Sequence, residues 1–262
     1  MKQELKKLAL VTIFLAAGCG VVGGPERELT VERKWPAAEI EKLAVSEVNG
    51  TVSVNAAEGG EITLVAKVRG RGLEPKPELE NQGLFETARV GDTLQIGRQQ
   101  QRKFKFLRFG KDDVRVDYTL RVPATVSLDL NTVNGRIATR GVDGETELTT
   151  VNGMIDVETA GTSELYAQTV NGRVRAKFLR SFQGAKFRTV NGGVEAILPG
   201  DASFAVDLAQ VNGDFEAGFP LSIHSNPGSR RVSGEVNGGR YDLKIVTVNG
   251  DVELTKLPAP SL

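Results

Sequence analysis

Four positions, each three residues after a Val-Asn-Gly glycine, read Asp156, Arg175, Glu195 and Glu216, and Asp214 lies two residues before the last. If successive copies of the motif stack, Glu195 and Glu216 stand about 5 Å apart, the carboxylate separation a retaining glycosidase uses. Arg173 and Arg175 neighbour Asp156 and Glu195, so an exposed strip of ion pairs, each contributing about 0 to 1 kcal/mol, accounts for the same residues. The strip is the expectation. The single histidine, His224, lies between Ser222 and Ser225 in a Pro- and Ser-rich stretch over 220–229. Adjacent residues on an extended chain point apart, and no acid is near in sequence to orient the imidazole. One histidine and one cysteine exclude the usual zinc ligand sets. The expectation is a protein that is not an enzyme, with no catalytic residue, no metal site and no cofactor.

Two other groups carry chemistry. Arg98, Arg102, Lys103, Lys105, Arg108, Lys111 and Arg115 set seven cations against Asp112 and Asp113 and interleave with Phe104, Phe106 and Phe109. Either the rings dock on the core as one face of an amphipathic hairpin, or the segment is a surface for anionic envelope polymer or lipid headgroups, with each cation contributing about 1 kcal/mol. The first six cations are the candidate anionic-ligand surface. Cys19, the only cysteine, closes Ala16-Ala17-Gly18-Cys19 after a basic start (Lys2, Lys6, Lys7) and an apolar run over 8–17. That run is too short to span a bilayer. The junction resembles the lipobox of bacterial lipoproteins, with Ala16 where leucine is more usual. The resemblance implies cleavage before Cys19 and lipidation of its thiol and new amino terminus, and two or more acyl chains anchor stably. The alternative is a plain secretory signal followed by a chance cysteine. Lipidation would place the protein outside the cytoplasm on a membrane, and Gly20 in place of the aspartate that retains enterobacterial lipoproteins inside favours the outer membrane.

The elements that position these groups follow from a repeat. Val-Asn-Gly occurs eight times, at Val48, Val133, Val151, Val170, Val190, Val211, Val236 and Val248, and the five copies from Val133 to Val211 are spaced 18, 19, 20 and 21 residues apart. A period near twenty predicts stacked coils. Alternation on both sides of each copy, as in Leu148, Thr150, Ile155 and Val157, predicts strand, corner, strand. Val236 breaks the spacing. A register with Val232-Ser233-Gly234 as the corner and Asn237-Gly238 as the opposite turn restores it, giving seven corners from Val133 to Val248. Glycine takes positive φ without steric cost, and asparagine tolerates it while offering an amide. Stacked corners would set Asn134, Asn152, Asn171, Asn191, Asn212 and Asn249 into a buried amide ladder, with Asn49 outside the regular array. The competing reading is a series of Asn-Gly hairpins in a sandwich or barrel, which buries the same residues.

The fold expected is all-β: a β-solenoid, a single-stranded and right-handed β-helix with coils of 18–21 residues, behind a smaller irregular β region. The domain reading is a signal peptide over 1–18, a tether over 19–34, an N-terminal β region over 35–123 with a loop over 70–93, the solenoid over 124–256 and a tail over 257–262. Charge gives no hint of nucleic acid, since 33 Lys and Arg balance 33 Asp and Glu. Removal of the signal takes three lysines and one glutamate and leaves the chain near neutral. With Cys19 lipidated there is no intramolecular disulfide, so the core must supply the stability.

Ile40 to Val45, Val48-Asn49-Gly50, Tyr118 to Pro123 and the Thr-Val-Asn-Gly array resemble the bacterial adhesin-type family built on domain of unknown function 4097, over roughly 38–254. That resemblance implies an envelope β-solenoid and transfers no catalytic residue. The function expected is a non-catalytic envelope lipoprotein, an adhesin or binding scaffold whose partners are a membrane, through its lipid, and anionic envelope material. The alternatives are a polysaccharide-active β-helix enzyme and an envelope sensor or assembly component.

Overall fold

Strict alternation of apolar and polar residues makes strands, and a computed structural model describes residues 26–71, 85–97, 114–221 and 231–258. In chain order the strands are β1 (Glu26–Pro36), β2 (Lys42–Asn49), β3 (Val52–Ala56), β4 (Glu61–Arg71), β5 (Glu86–Val90), β6 (Thr93–Gly97), β7 (Arg115–Val122), β8 (Ser127–Asn134), β9 (Ile137–Arg140) and β10 (Thr146–Asn152). They continue as β11 (Ile155–Thr159), β12 (Leu165–Gln168), β13 (Val174–Phe178), β14 (Ala185–Arg188), β15 (Val194–Leu198), β16 (Phe204–Asn212), β17 (Phe215–Ala217), β18 (Arg231–Val236), β19 (Tyr241–Asn249) and β20 (Val252–Lys256). The one helical turn among the described residues is a 3-10 turn, Ala37–Glu39.

Two ten-stranded sheets result. The first runs β1-β4-β7-β3-β9-β11-β13-β15-β20-β17 and the second β18-β16-β19-β14-β12-β10-β8-β2-β6-β5. Seven of the eight Val-Asn-Gly copies, all but that at Val236, join a strand of the second sheet to one of the first, and equivalent strands pair in parallel. Thus β10 lies between β8 and β12 while β11 lies between β9 and β13. A hairpin would pair β10 with β11, so the hairpin alternative is overturned and the stack is solenoid-like. Inward rows from both sheets form one apolar cluster, including Leu43, Leu128, Leu148, Ile155, Val174 and Leu254. At one end it is filled by edge-to-face rings, Phe178 on Phe182 at 5.0 Å, Phe182 on Phe204 at 5.8 Å and Phe204 on Phe219 at 5.3 Å.

Spatial order departs from chain order at both ends. The rung β2/β3 sits between β6/β7 and β8/β9, so the chain moves outward to build β6/β7 and then returns past β2/β3. At the other end β16/β17 is built one rung away from β14/β15, and β19/β20 enters the gap. Five expectations change. Asn49 belongs to the regular array, and the β region assigned to 35–123 shares both sheets with the solenoid assigned to 124–256. Residues 231–236 form no corner: β19 already occupies the inner edge of β16, so β18 takes the outer edge, antiparallel. Asn237-Gly238 is the opposite turn, with φ of 49° and 89°. The stretch expected as a tether over 19–34 is strand from Glu26 onward, because β1 closes the edge of β4 in antiparallel register. Within the loop expected over 70–93, β5 closes the edge of β6 in the same way. These antiparallel caps cover edges that would otherwise template further strands.

Candidate functional site

The corner edge is the most regular surface. In four successive inner rungs the threonine before the corner points inward, and its hydroxyl donates to the corner-glycine carbonyl of the rung below: Thr150 to Gly135 at 3.1 Å, Thr169 to Gly153 at 2.9 Å, Thr189 to Gly172 at 3.1 Å and Thr247 to Gly192 at 3.2 Å. Gln210 reaches Gly250 O with its amide at 2.8 Å in the last rung. The threonine of the third rung, Thr132, keeps a buried Oγ1 without a hydrogen-bond partner among the described residues.

The asparagines form an unbroken chain of amides. Asn212 donates to Asn249, Asn249 to Asn191, Asn191 to Asn171, Asn171 to Asn152, Asn152 to Asn134 and Asn134 to Asn49, all between 2.7 and 2.9 Å. The chain order of the motif would put Asn212 directly after Asn191, but Asn249 stands between them. The ladder is not buried, since the six residues from Asn134 to Asn249 are exposed. The corner turns outward, which brings the amides to solvent.

Gly50, Gly213 and Gly250 adopt the positive φ that the turn preference suggests, but at the other four corners glycine is required for a different reason. Gly135, Gly153, Gly172 and Gly192 do not have positive φ. A Cβ on any of them would lie 1.8 to 1.9 Å from the carbonyl oxygen of the glycine one rung below. No side chain fits between backbones that close. The valines before the asparagines, in the order Val48, Val133, Val151, Val170, Val190, Val248, Val211, point outward as a ridge. Five of the seven are 37–45% exposed.

The outer face of the first sheet carries the charged rows. Asp156, Arg175, Glu195, Glu253 and Glu216 follow one another in register. Glu195 and Glu216 are therefore two strands apart, and each has Glu253, not the other, as its neighbouring carboxylate. Arg175 contacts Glu195 at 3.2 Å and Lys177 contacts Glu158 at 3.4 Å. The Arg136 guanidinium abuts Asp156, although Asp156 Oδ2 receives no well-directed hydrogen bond. These side chains, with Arg140, surround a hollow of about 230 Å³ over the small Ala138. A second hollow of about 310 Å³ lies on the other sheet over Ala44, Ser46, Ala88 and Gly97. Lys244 and Arg231 are held above their usual pKa, first by hydrogen bonds to Asp242 and Asp207 and then by the charge of those carboxylates. Both pairs are solvent-exposed and contribute little to stability. Among the described residues no group of three or more His, Cys, Asp or Glu is arranged to hold a metal ion.

Cys19, His224, Ser222, Ser225 and the cations Arg98, Arg102, Lys103, Lys105, Arg108 and Lys111 lie outside the described residues. Arg115, next to that segment, donates to Asp117 at 3.0 Å. Two residues carry more than the sequence reading assigned them. Glu47 occupies the threonine place of its corner and is buried; it accepts from the backbone N–H of Val48 at 2.9 Å and from the Tyr118 hydroxyl at 2.9 Å. A charged residue in a place that threonine holds in most rungs was the available signal.

A family model spans the motif-bearing strands, the inward threonines and the stacked Asn-Gly corners of both sheets. The chain belongs to the Toastrack DUF4097 family. The match runs over residues 12–255. No curated protein matches the chain. Solved structures similar to this Toastrack chain include a putative cell adhesion protein from Clostridium sporogenes, at 10% identity and TM-score 0.49 over 88% of this chain and 100% of that one. A putative adhesin from Bacteroides fragilis is similar at 11% identity and TM-score 0.34, over 86% and 96%. A putative lipid binding protein from Parabacteroides distasonis is similar at 9% identity and TM-score 0.36, over 87% and 97%. Among the described residues no helix is long and apolar enough to cross a membrane.

Proposed function

We propose that this Toastrack protein is a non-catalytic scaffold of the bacterial cell envelope that binds envelope or surface ligands along its stacked corners while a lipid on Cys19 holds it to a membrane. In this reading the stack is a single-stranded, right-handed β-helix. The observation that supports the scaffold reading is the corner edge itself, where the same outward side chains repeat through seven successive rungs at the strand spacing of about 4.8 Å. Catalysis needs unlike groups converging on one point. A repeating row supplies like groups along a line, which suits adhesion to something extended. The basic segment over 98–111 would add contact with anionic polymer or headgroups.

The test is fractionation followed by co-sedimentation. Wild-type protein is expected in the membrane fraction and Cys19→Ser in the soluble fraction or as unprocessed precursor, and wild-type protein is expected to sediment with isolated envelope material. Normal processing and membrane retention of Cys19→Ser would refute the anchor. Failure to bind any envelope fraction would refute the scaffold.

A further inference from the structure

The ridge of valines is the feature that folding alone explains least. Two residues back along the same strands, the outward row reads Ser46, Asn131, Thr149, Gln168 and Arg188 before Val246 and Ala209 at the far end. Polar residues therefore serve at that distance from the corner in most rungs. The ridge row instead keeps valine in all seven rungs, exposed at 43% in Val48, 39% in Val133 and Val190, 37% in Val151 and 45% in Val211. β-Branching suits a strand, but threonine would satisfy that requirement and solvate better.

Beside the valines runs the amide ladder. An asparagine amide has two N–H donors and an oxygen with two lone pairs. The ladder uses one donor and one lone pair of each inner residue. The remaining donor and lone pair of each exposed amide are available to a ligand. Valine, asparagine and glycine carry no charge, so the strip is neutral along its whole length of about 29 Å, six steps of about 4.8 Å. It offers methyl groups in one line and unspent amide valences in the next, both at a fixed repeat.

We infer that this strip is a binding site for a linear, uncharged, β-linked glycan lying along the stack axis. The inference rests on the scaffold reading and names its ligand class. Pyranose rings in an extended β-linked chain present apolar C–H faces and equatorial hydroxyls, and successive rings advance by nearly one strand spacing of about 4.8 Å. C–H faces cover the valine methyls while hydroxyls pair with the free N–H and carbonyl positions of Asn134, Asn152, Asn171, Asn191 and Asn249. A polyanion would instead seek cations, which stand outside the strip at Arg136, Arg140 and Arg175 on the first sheet.

The experiment uses detergent-solubilised full-length protein with insoluble chitin and soluble chito-oligosaccharides of increasing length as probes. Affinity should rise with oligomer length and change less than twofold between low and physiological salt. The paired change Val151→Thr and Val190→Thr, which keeps side-chain shape, should weaken chitin binding about tenfold, and Val151→Lys with Val190→Lys by more, with unchanged denaturation midpoints. Retained affinity in both pairs, length-independent binding, or binding that salt abolishes would overturn the inference. So would ridge-dependent self-association without glycan binding. If the ridge variants still sediment with envelope material as wild type does, the strip inference fails and the scaffold reading stands; if wild type binds no envelope fraction, the scaffold reading itself fails.

Discussion

Replacing Gly172 with alanine should be among the most damaging single changes in the stack, although it adds one methyl group to a half-buried surface corner. The new Cβ would lie 1.9 Å from Gly153 O and 2.6 Å from Gly153 C, both backbone atoms of the rung below. Relief requires the two rungs to separate by more than an ångström, which lengthens the Thr169 to Gly153 O bond of 2.9 Å and the Asn171 to Asn152 amide bond of 2.7 Å. Overpacking a close-packed site costs about 1 to 3 kcal/mol, and the loss of two hydrogen bonds adds about 1 kcal/mol each, so a loss of about 4 kcal/mol is expected. Gly60 is the control, because a Cβ there would meet no atom within 4 Å and its φ is not positive. Gly60→Ala should be neutral or stabilising by about 0.4 to 1 kcal/mol through the unfolded chain. Thermal denaturation of both variants should separate them by about 8 to 16 °C, at about 2 to 4 °C per kcal/mol for a chain of this size. Equal midpoints for Gly172→Ala and Gly60→Ala would refute the stacked-corner geometry.

The ladder makes a graded prediction: Asn171→Ala breaks two amide bonds and should cost about 1 to 2 kcal/mol, whereas Asn49→Ala at the ladder's end breaks one and should cost about half as much, read from urea midpoints. Tyr118→Phe removes the hydroxyl that donates to the buried Glu47 and should cost about 1 to 3 kcal/mol, while the more accessible Tyr166→Phe should cost less than about 0.5 kcal/mol in the same assay. Changing Arg102, Lys103, Lys105 and Arg108 together to glutamine should weaken binding to anionic lipid vesicles by about 1 kcal/mol per charge and remove its salt dependence, with no change in chitin binding.

Much of the fold was legible because a solenoid writes its period into the chain. Leu148, Thr150, Ile155 and Val157 alternate as strands on either side of a corner, and they are buried as that pattern requires. The order of the rungs was not legible. Nothing in the motif at Val248 distinguishes a rung added after β16 from one inserted before it, since both registers satisfy the same alternation; only pairing with β14 and β16 decides it. The same ambiguity concealed Glu253 between Glu195 and Glu216 and the place of Asn49 in the ladder. At four of the seven corners the role of glycine was misread for a related reason, while Gly50, Gly213 and Gly250 do take positive φ. Asn-Gly is a strong turn signal within one segment, but the demand at Gly135, Gly153, Gly172 and Gly192 comes from a backbone 18 or more residues away. Exposure of the valines was likewise a consequence of stacking, because the local pattern of an apolar residue beside a corner does not state which way it faces.

A continuous ridge requires that β19/β20 lie between β14/β15 and β16/β17, and engineered disulfides test that directly. In a Cys19→Ser background, Val190→Cys with Val248→Cys places two cysteines on neighbouring parallel strands, at the separation of about 5 Å between Cα atoms that a disulfide spans. Val190→Cys with Val211→Cys places them two strands apart, about 10 Å, beyond its reach. The account predicts rapid, complete oxidation of the first pair and none of the second in folded protein, read by mass spectrometry of the non-reduced chain. Oxidation of the Val190 and Val211 pair, with the Val190 and Val248 pair remaining reduced, would contradict it.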